Sequence, residues 1–141
     1  MVKSAGVTLR NVSDVSLLML MMGHLDKVQG RKRLQKLVFL LQKCDKTPFQ
    51  YSFISYLYGP YCSDLQNDVD RLVSAGYITE DRTNYLYSYE VTREGKNVSR
   101  EIEKKYGKNK AKQLYADLDK LDSHRTEDLV KRSKQIMSGM V

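Results

Sequence analysis

The spacing of apolar residues changes period twice between Ser63 and Gly95, and this constrains the fold more than any other feature of the chain. Leu65, Val69, Leu72 and Val73 fall at i, i+4, i+7 and i+8, which places them on one face of a helix. From Tyr85 the pattern alternates, with Tyr85, Tyr87, Tyr89 and Val91 on one side and Leu86, Ser88 and Glu90 on the other, as in a strand. Ser63 and Gln66 have the spacing of a capping box, and Asp64 sits where the helix dipole favours an anion. Gly76 lies one step past the last periodic residue, where a left-handed closing residue is cheapest as glycine. The stretch predicts a helix over 63–75, strands near 77–80 and 85–91 joined by a polar turn at 81–84, and a return to helix at Thr92.

Upstream, Ser13 is a good N-cap, and Val12 and Leu17 have the spacing of a hydrophobic staple. The following helix, expected from Asp14 to Val28, is apolar nearly all round, which predicts a central buried element with Met19, Met21 and Met22 as adaptable core. Residues 31–43 predict a second helix with Leu34, Leu37, Val38 and Leu41 as its stripe and Arg31, Lys32, Arg33 and Lys36 clustered in its first turns. Positive charge at a helix start opposes the dipole, so these residues are candidates to meet phosphate or an acidic partner. Phe49 to Tyr58 is aromatic and β-branched enough for a strand, placed at about 51–56 as the third member of the small sheet.

Beyond Thr92 the helical period returns, with Val98, Ile102 and Tyr106 in one stripe and Lys96, Arg100 and Lys104 in another. Ala111, Leu114, Leu118 and Leu121 then follow in a/d spacing, a narrow seam that predicts a dimer interface, supported by Leu129, Ile136 and Met140. The division expected is an arm over 1–12, a mixed domain over 13–106 and a helical extension over 107–141.

The chain has 141 residues and a formal net charge of +7. The excess is concentrated beyond Thr92, where 13 basic residues face 8 acidic ones, against 11 and 9 before it. A basic balance admits nucleic acid or an acidic protein as partner and says nothing about fold. Cys44 and Cys62 fit neither a zinc pattern nor a disulfide scaffold, so free thiols in a reducing cytoplasm are expected. The longest apolar run, Leu17 to Met22, is too short to span a bilayer. No phosphate-binding loop, metal constellation or nucleophile–base pair stands out, and His24 and His124 have no assignable partner. Neither enzymatic activity nor a cofactor is expected.

Two local patterns carry a resemblance. Tyr89-Glu-Val-Thr-Arg-Glu-Gly95 looks like the close of the wing in MarR- and PadR-type regulators. Gly30-Arg-Lys-Arg-Leu-Gln-Lys-Leu-Val-Phe-Leu-Leu-Gln42, Tyr58-Gly-Pro-Tyr-Cys-Ser63 and Leu72-Val-Ser-Ala-Gly-Tyr-Ile78 resemble the YwgA-type prokaryotic proteins and, more distantly, the Panacea antitoxin domain. The resemblance covers about 13–95. It implies a winged-helix-like fold and brings no catalytic residues with it. The fold expected for the chain is an α+β winged helix-turn-helix followed by C-terminal helices, which lie outside the resemblance.

In such a fold the helix from Ser63 would enter the major groove of double-stranded DNA, with Gln66, Asn67 and Arg71 able to read base edges. Arg31, Lys32, Arg33, Lys36, Arg82, Lys96, Arg100, Lys104, Lys105 and Lys108 are the phosphate candidates. The first functional reading is therefore a dimeric DNA-binding, regulator-like protein. The alternative is a non-enzymatic protein-interaction module with an acidic partner. The aspartates at 64, 68 and 70 oppose phosphates on the candidate reading helix.

Overall fold

The computed structural model describes residues 12–139, so most of the expected N-terminal arm and Met140 lie outside the described residues. It is a mixed α+β structure of six helices, a three-stranded sheet and a separate two-stranded hairpin. Helix α1 (Asp14–Leu25) starts at Ser13, whose side chain accepts from the Ser16 N–H, as the sequence predicts. Leu17 through Gly23 are buried without a break, and α1 is the central element.

The helix does not reach Val28. Asp26 turns the chain at φ 69, and Lys27–Gln29 becomes strand β1, pairing Val28 with Tyr89. Three residues are too short an alternation to be told from a helix end by pattern alone. Gly30 (φ 110) then turns the chain into helix α2 (Arg31–Cys44), which buries Leu34 through Leu41.

The expected strand at 51–56 is not in the sheet. Gln42 satisfies the Tyr51 backbone instead, donating to its carbonyl at 2.9 Å and accepting from its N–H at 3.2 Å. The chain then forms its own hairpin, β2 (Ile54–Tyr56) against β3 (Gly59–Tyr61), with Leu57 and Tyr58 at the turn.

Helix α3 (Ser63–Ser74) starts with Cys62 as N-cap and no side-chain cap bond, so the expected capping box does not form. The Cys62 backbone is held extended from α2, and the Gln66 side chain points to Asp70 and Tyr89 instead. Gly76 (φ 82) closes the helix as expected. Strand β4 (Ile78–Thr83) runs three residues further than predicted, and β5 (Leu86–Val91) starts one residue later, because the turn is only Asn84 and Tyr85. Both turn residues have positive φ, 53 and 64, which matches the twist of a two-residue hairpin. The sheet order is β1-β5-β4, antiparallel throughout.

Thr92 caps helix α4 (Arg93–Tyr106) by accepting from the Gly95 N–H, and its hydroxyl donates to the Gly76 carbonyl at 2.7 Å. Gly95 has to be glycine, since a β-carbon there would overlap the Tyr77 carbonyl oxygen. Helices α5 (Lys108–Asp122) and α6 (Thr126–Met137) complete the chain.

The expected dimer seam is internal. Ala111, Leu114, Leu118 and Leu121 are 1, 3, 0 and 4% exposed within a single chain. Leu114, Leu118, Leu121 and Leu129 share one apolar cluster with Leu17 and Leu37, so no core boundary falls at 106. Helix α5 packs this seam on α1 and α2 of its own chain. Positions a and d are part of the apolar stripe of a surface helix as well as of a coiled coil, so the spacing alone does not separate the two.

Candidate functional site

The face expected to read DNA is acidic and largely engaged. Gln66 is half-buried and donates to Asp70 at 3.1 Å and to the Tyr89 hydroxyl at 3.4 Å. Arg71 donates to Asp68 at 3.1 Å, and Asp68 also accepts from the Tyr51 hydroxyl at 2.6 Å. Asn67 is exposed, between exposed Asp64 and Asp70. On the adjoining strand β4, Glu80 and Asp81 add negative charge beside Arg82.

The phosphate candidates are scattered over different junctions, and most are engaged. Arg31 donates to the Tyr89 hydroxyl at 2.9 Å and to Glu80 at 3.4 Å while lying 3.7 Å over the Tyr87 ring. Arg82 donates to the Tyr87 hydroxyl at 2.8 Å. Arg33 ties α2 to the joint between α5 and α6 through the Asp122 carbonyl, the Asp122 carboxylate and Thr126. Lys96 pairs with Asp26 and donates to the Gly23 carbonyl at 2.9 Å. Arg100 donates to Asn97, and Lys104 pairs with Glu101. Lys105 and Lys108 are exposed and form no ion pair among the described residues.

Lys36, expected at the surface, is only 3% exposed. Its ammonium donates to the Pro60 carbonyl at 2.9 Å, and next to it Gln35 donates to the Cys62 carbonyl and accepts from the Cys62 N–H, both at 2.9 Å. These adjacent residues fix the base of the β2–β3 hairpin to α2. Burial, and then the charges of Lys32 and Lys134, lower the Lys36 pKa to about 8.

The tip of this hairpin is the feature the sequence reading missed. Ile54, Tyr56, Leu57 and Tyr58 are 61, 59, 73 and 56% exposed. Tyr56 leans on Tyr61, with centroids 5.7 Å apart, and Lys32 lies 4.4 Å over the Tyr58 ring. A cleft of about 170 Å³ opens between α2 and the hairpin, lined by Arg31, Lys32, Gln35, Lys36 and the rings of Tyr56, Tyr58 and Tyr61. A second, of about 230 Å³, lies on its other side against Lys134 and Met137 of α6. The sequence signal was present: no charged residue occurs between Lys46 and Asp64, although six aromatic residues do.

Other clusters are structural. The largest cleft described, about 420 Å³ beside β1, is polar, and its Arg33 is already paired. His24 stacks on Tyr115 at 4.3 Å with its Nε2 2.8 Å from Asp119, and Tyr115 donates to Glu103 at 2.6 Å. No group of acidic, histidine or cysteine residues among the described residues could hold a metal ion. No described helix is long and apolar enough to cross a membrane.

No protein-family model matches the chain, and no solved structure matches it. Among curated proteins it is similar to the uncharacterized protein YwgA of Bacillus subtilis (strain 168), with 29% identity over 73 residues. The match covers 49% of this chain and 43% of YwgA, so the chain spans less than half the length of that relative. The likeness fits the YwgA-type resemblance carried by the α2 sequence and the Tyr-Gly-Pro turn.

Proposed function

We propose that this chain is a winged-helix domain that acts by binding another protein and performs no chemistry of its own. The winged-helix reading is supported by the order helix, strand, helix, helix, strand, strand and by the β1-β5-β4 sheet, with β2–β3 inserted between α2 and α3. The observation that carries the binding reading is the exposed apolar tip at Ile54, Tyr56, Leu57 and Tyr58, rimmed by lysines. Contiguous exposed apolar surface with a polar rim marks an interaction site, and tyrosine is enriched where interfaces draw their energy. The carboxylates of α3 and β4 oppose the usual groove-binding pose.

The test is site-specific photocrosslinking in the native host. A photoreactive residue at position 57 is expected to give a discrete protein adduct, and one at position 67 is expected to give none. Nucleic-acid adducts at position 57, or no adduct there, would overturn the reading.

Duplex DNA is the second reading, favoured by Lys105 and Lys108, which are exposed and unpaired among the described residues. It requires log affinity to fall by about 0.9 for each phosphate neutralised as log salt rises. A protein that ignores random duplex even at low salt excludes it.

A further inference from the structure

Within the protein-binding reading, on which this inference rests, the cleft between α2 and the hairpin has a definite chemical character. Lys36 is almost fully buried and gives one of its three donors to the Pro60 carbonyl. Lys32 and Lys134 are close enough to act on it, and none of the three forms an ion pair among the described residues. Gly59 brings two of these side chains together: a β-carbon there would lie 3.3 Å from Lys134 Cγ and 3.4 Å from Lys36 Cε. The residues lining the cleft include no carboxylate. Like charges gathered around a desolvated ammonium are costly, and an incoming anion would relieve that cost.

The walls indicate what carries the anion. Tyrosine rings alone would serve a nucleobase or a peptide equally well. Ile54 and Leu57 expose aliphatic side chains beside them, which suit apolar side chains and offer no stacking face. We infer that the hairpin cleft takes an acidic, apolar-flanked peptide segment of the partner, with its carboxylate held by Lys36 and Lys32 within the field of Lys134 from the hairpin's other side, and its neighbouring side chains seated on Tyr56 and Tyr58 and over the tip at Leu57. The charged and titratable groups facing Lys36 are Arg31 and Lys32 from α2, Lys134 from α6 and the phenols of Tyr56, Tyr58 and Tyr61 from the hairpin. An anion bound there restores the proton affinity of Lys36, so binding takes up protons above about pH 8.

The experiment is a fluorescence-anisotropy titration of the full chain with three probes. These are a labelled peptide alternating Glu or Asp with Leu and Phe, its Gln/Asn counterpart and a labelled oligothymidylate. The acidic peptide is expected to bind at least about tenfold tighter than its amide counterpart, a preference that Lys32→Glu and Lys134→Glu each reduce by about tenfold. Leu57→Ala with Tyr58→Ala should weaken binding similarly, and backbone NMR shifts should move at residues 54–61. Equal binding of acid and amide, tighter binding of the oligothymidylate, shifts confined elsewhere, or no binding by any probe would overturn the inference. If crosslinking at position 57 still captures a protein through a neutral or basic segment, the protein-binding reading survives and only the acidic specificity fails.

Discussion

Gln35 and Cys62 exchange two hydrogen bonds, so one buried side-chain amide completes the backbone pairing of a residue 27 positions away. Replacing Gln35 by Leu leaves the buried Cys62 N–H unpaired and its C=O with only the long 3.4 Å bond from the Gln66 N–H. The expected loss is about 2–4 kcal/mol in urea denaturation, with faster exchange of the Cys62 amide. A loss below about 0.5 kcal/mol would mean that the clamp contributes nothing beyond packing.

Gly95 is the second sensitive point. In Gly95→Ala the new methyl meets the Tyr77 carbonyl oxygen and the Val91 side chain, so α4 must move away from the sheet. The expected cost is about 1–3 kcal/mol, seen as a lower Tm. A variant as stable as the wild type would show that this approach is looser than described.

Lys36 gives the stability a pH dependence of defined sign. Its pKa is lowered from the ordinary 10.5 to about 8, so between those values the unfolded chain binds more protons than the folded one. Stability from this group therefore rises as pH increases from 8 towards 10.5, by roughly 2 kcal/mol across the window. Denaturation of wild type and Lys36→Met at pH 7, 8, 9 and 10 isolates the effect, because other groups titrate alike in both. Parallel curves for the two proteins would contradict it.

The helices after Gly107 are part of the core, which changes what disrupting them does. Leu118→Ala is expected to cost about 2–5 kcal/mol. Leu114→Asp combined with Leu118→Asp should unfold the protein, as judged by circular dichroism. Light scattering showing a dimer that this double change converts into folded monomers would overturn the assignment.

Sequence legibility followed how local each determinant was. Ser13, Gly76 and Thr92 act through bonds within a few residues, and their roles were readable. Strand β1 exists because Tyr89 lies opposite Val28, a pairing over 61 positions that no local period reveals. The candidate site was the least legible part. Lys36 is a lysine on a buried helical face, kept there by a carbonyl contributed by a later hairpin. A hydrophobic-polar pattern necessarily assigns it to the surface. The tyrosine row of β5 divides by depth: Tyr89 is buried, Tyr87 packs under Arg31 and Tyr85 is fully exposed at the turn.

The hairpin is fastened at Pro60 and Cys62, whereas Leu57 and Tyr58 at its turn are mostly exposed. The residues that fasten the segment are thus separate from the residues it exposes. If the tip is the docking element proposed above, substitutions at Leu57 and Tyr58 would alter the contact surface while the bonds at Pro60 and Cys62 that hold the hairpin stay in place.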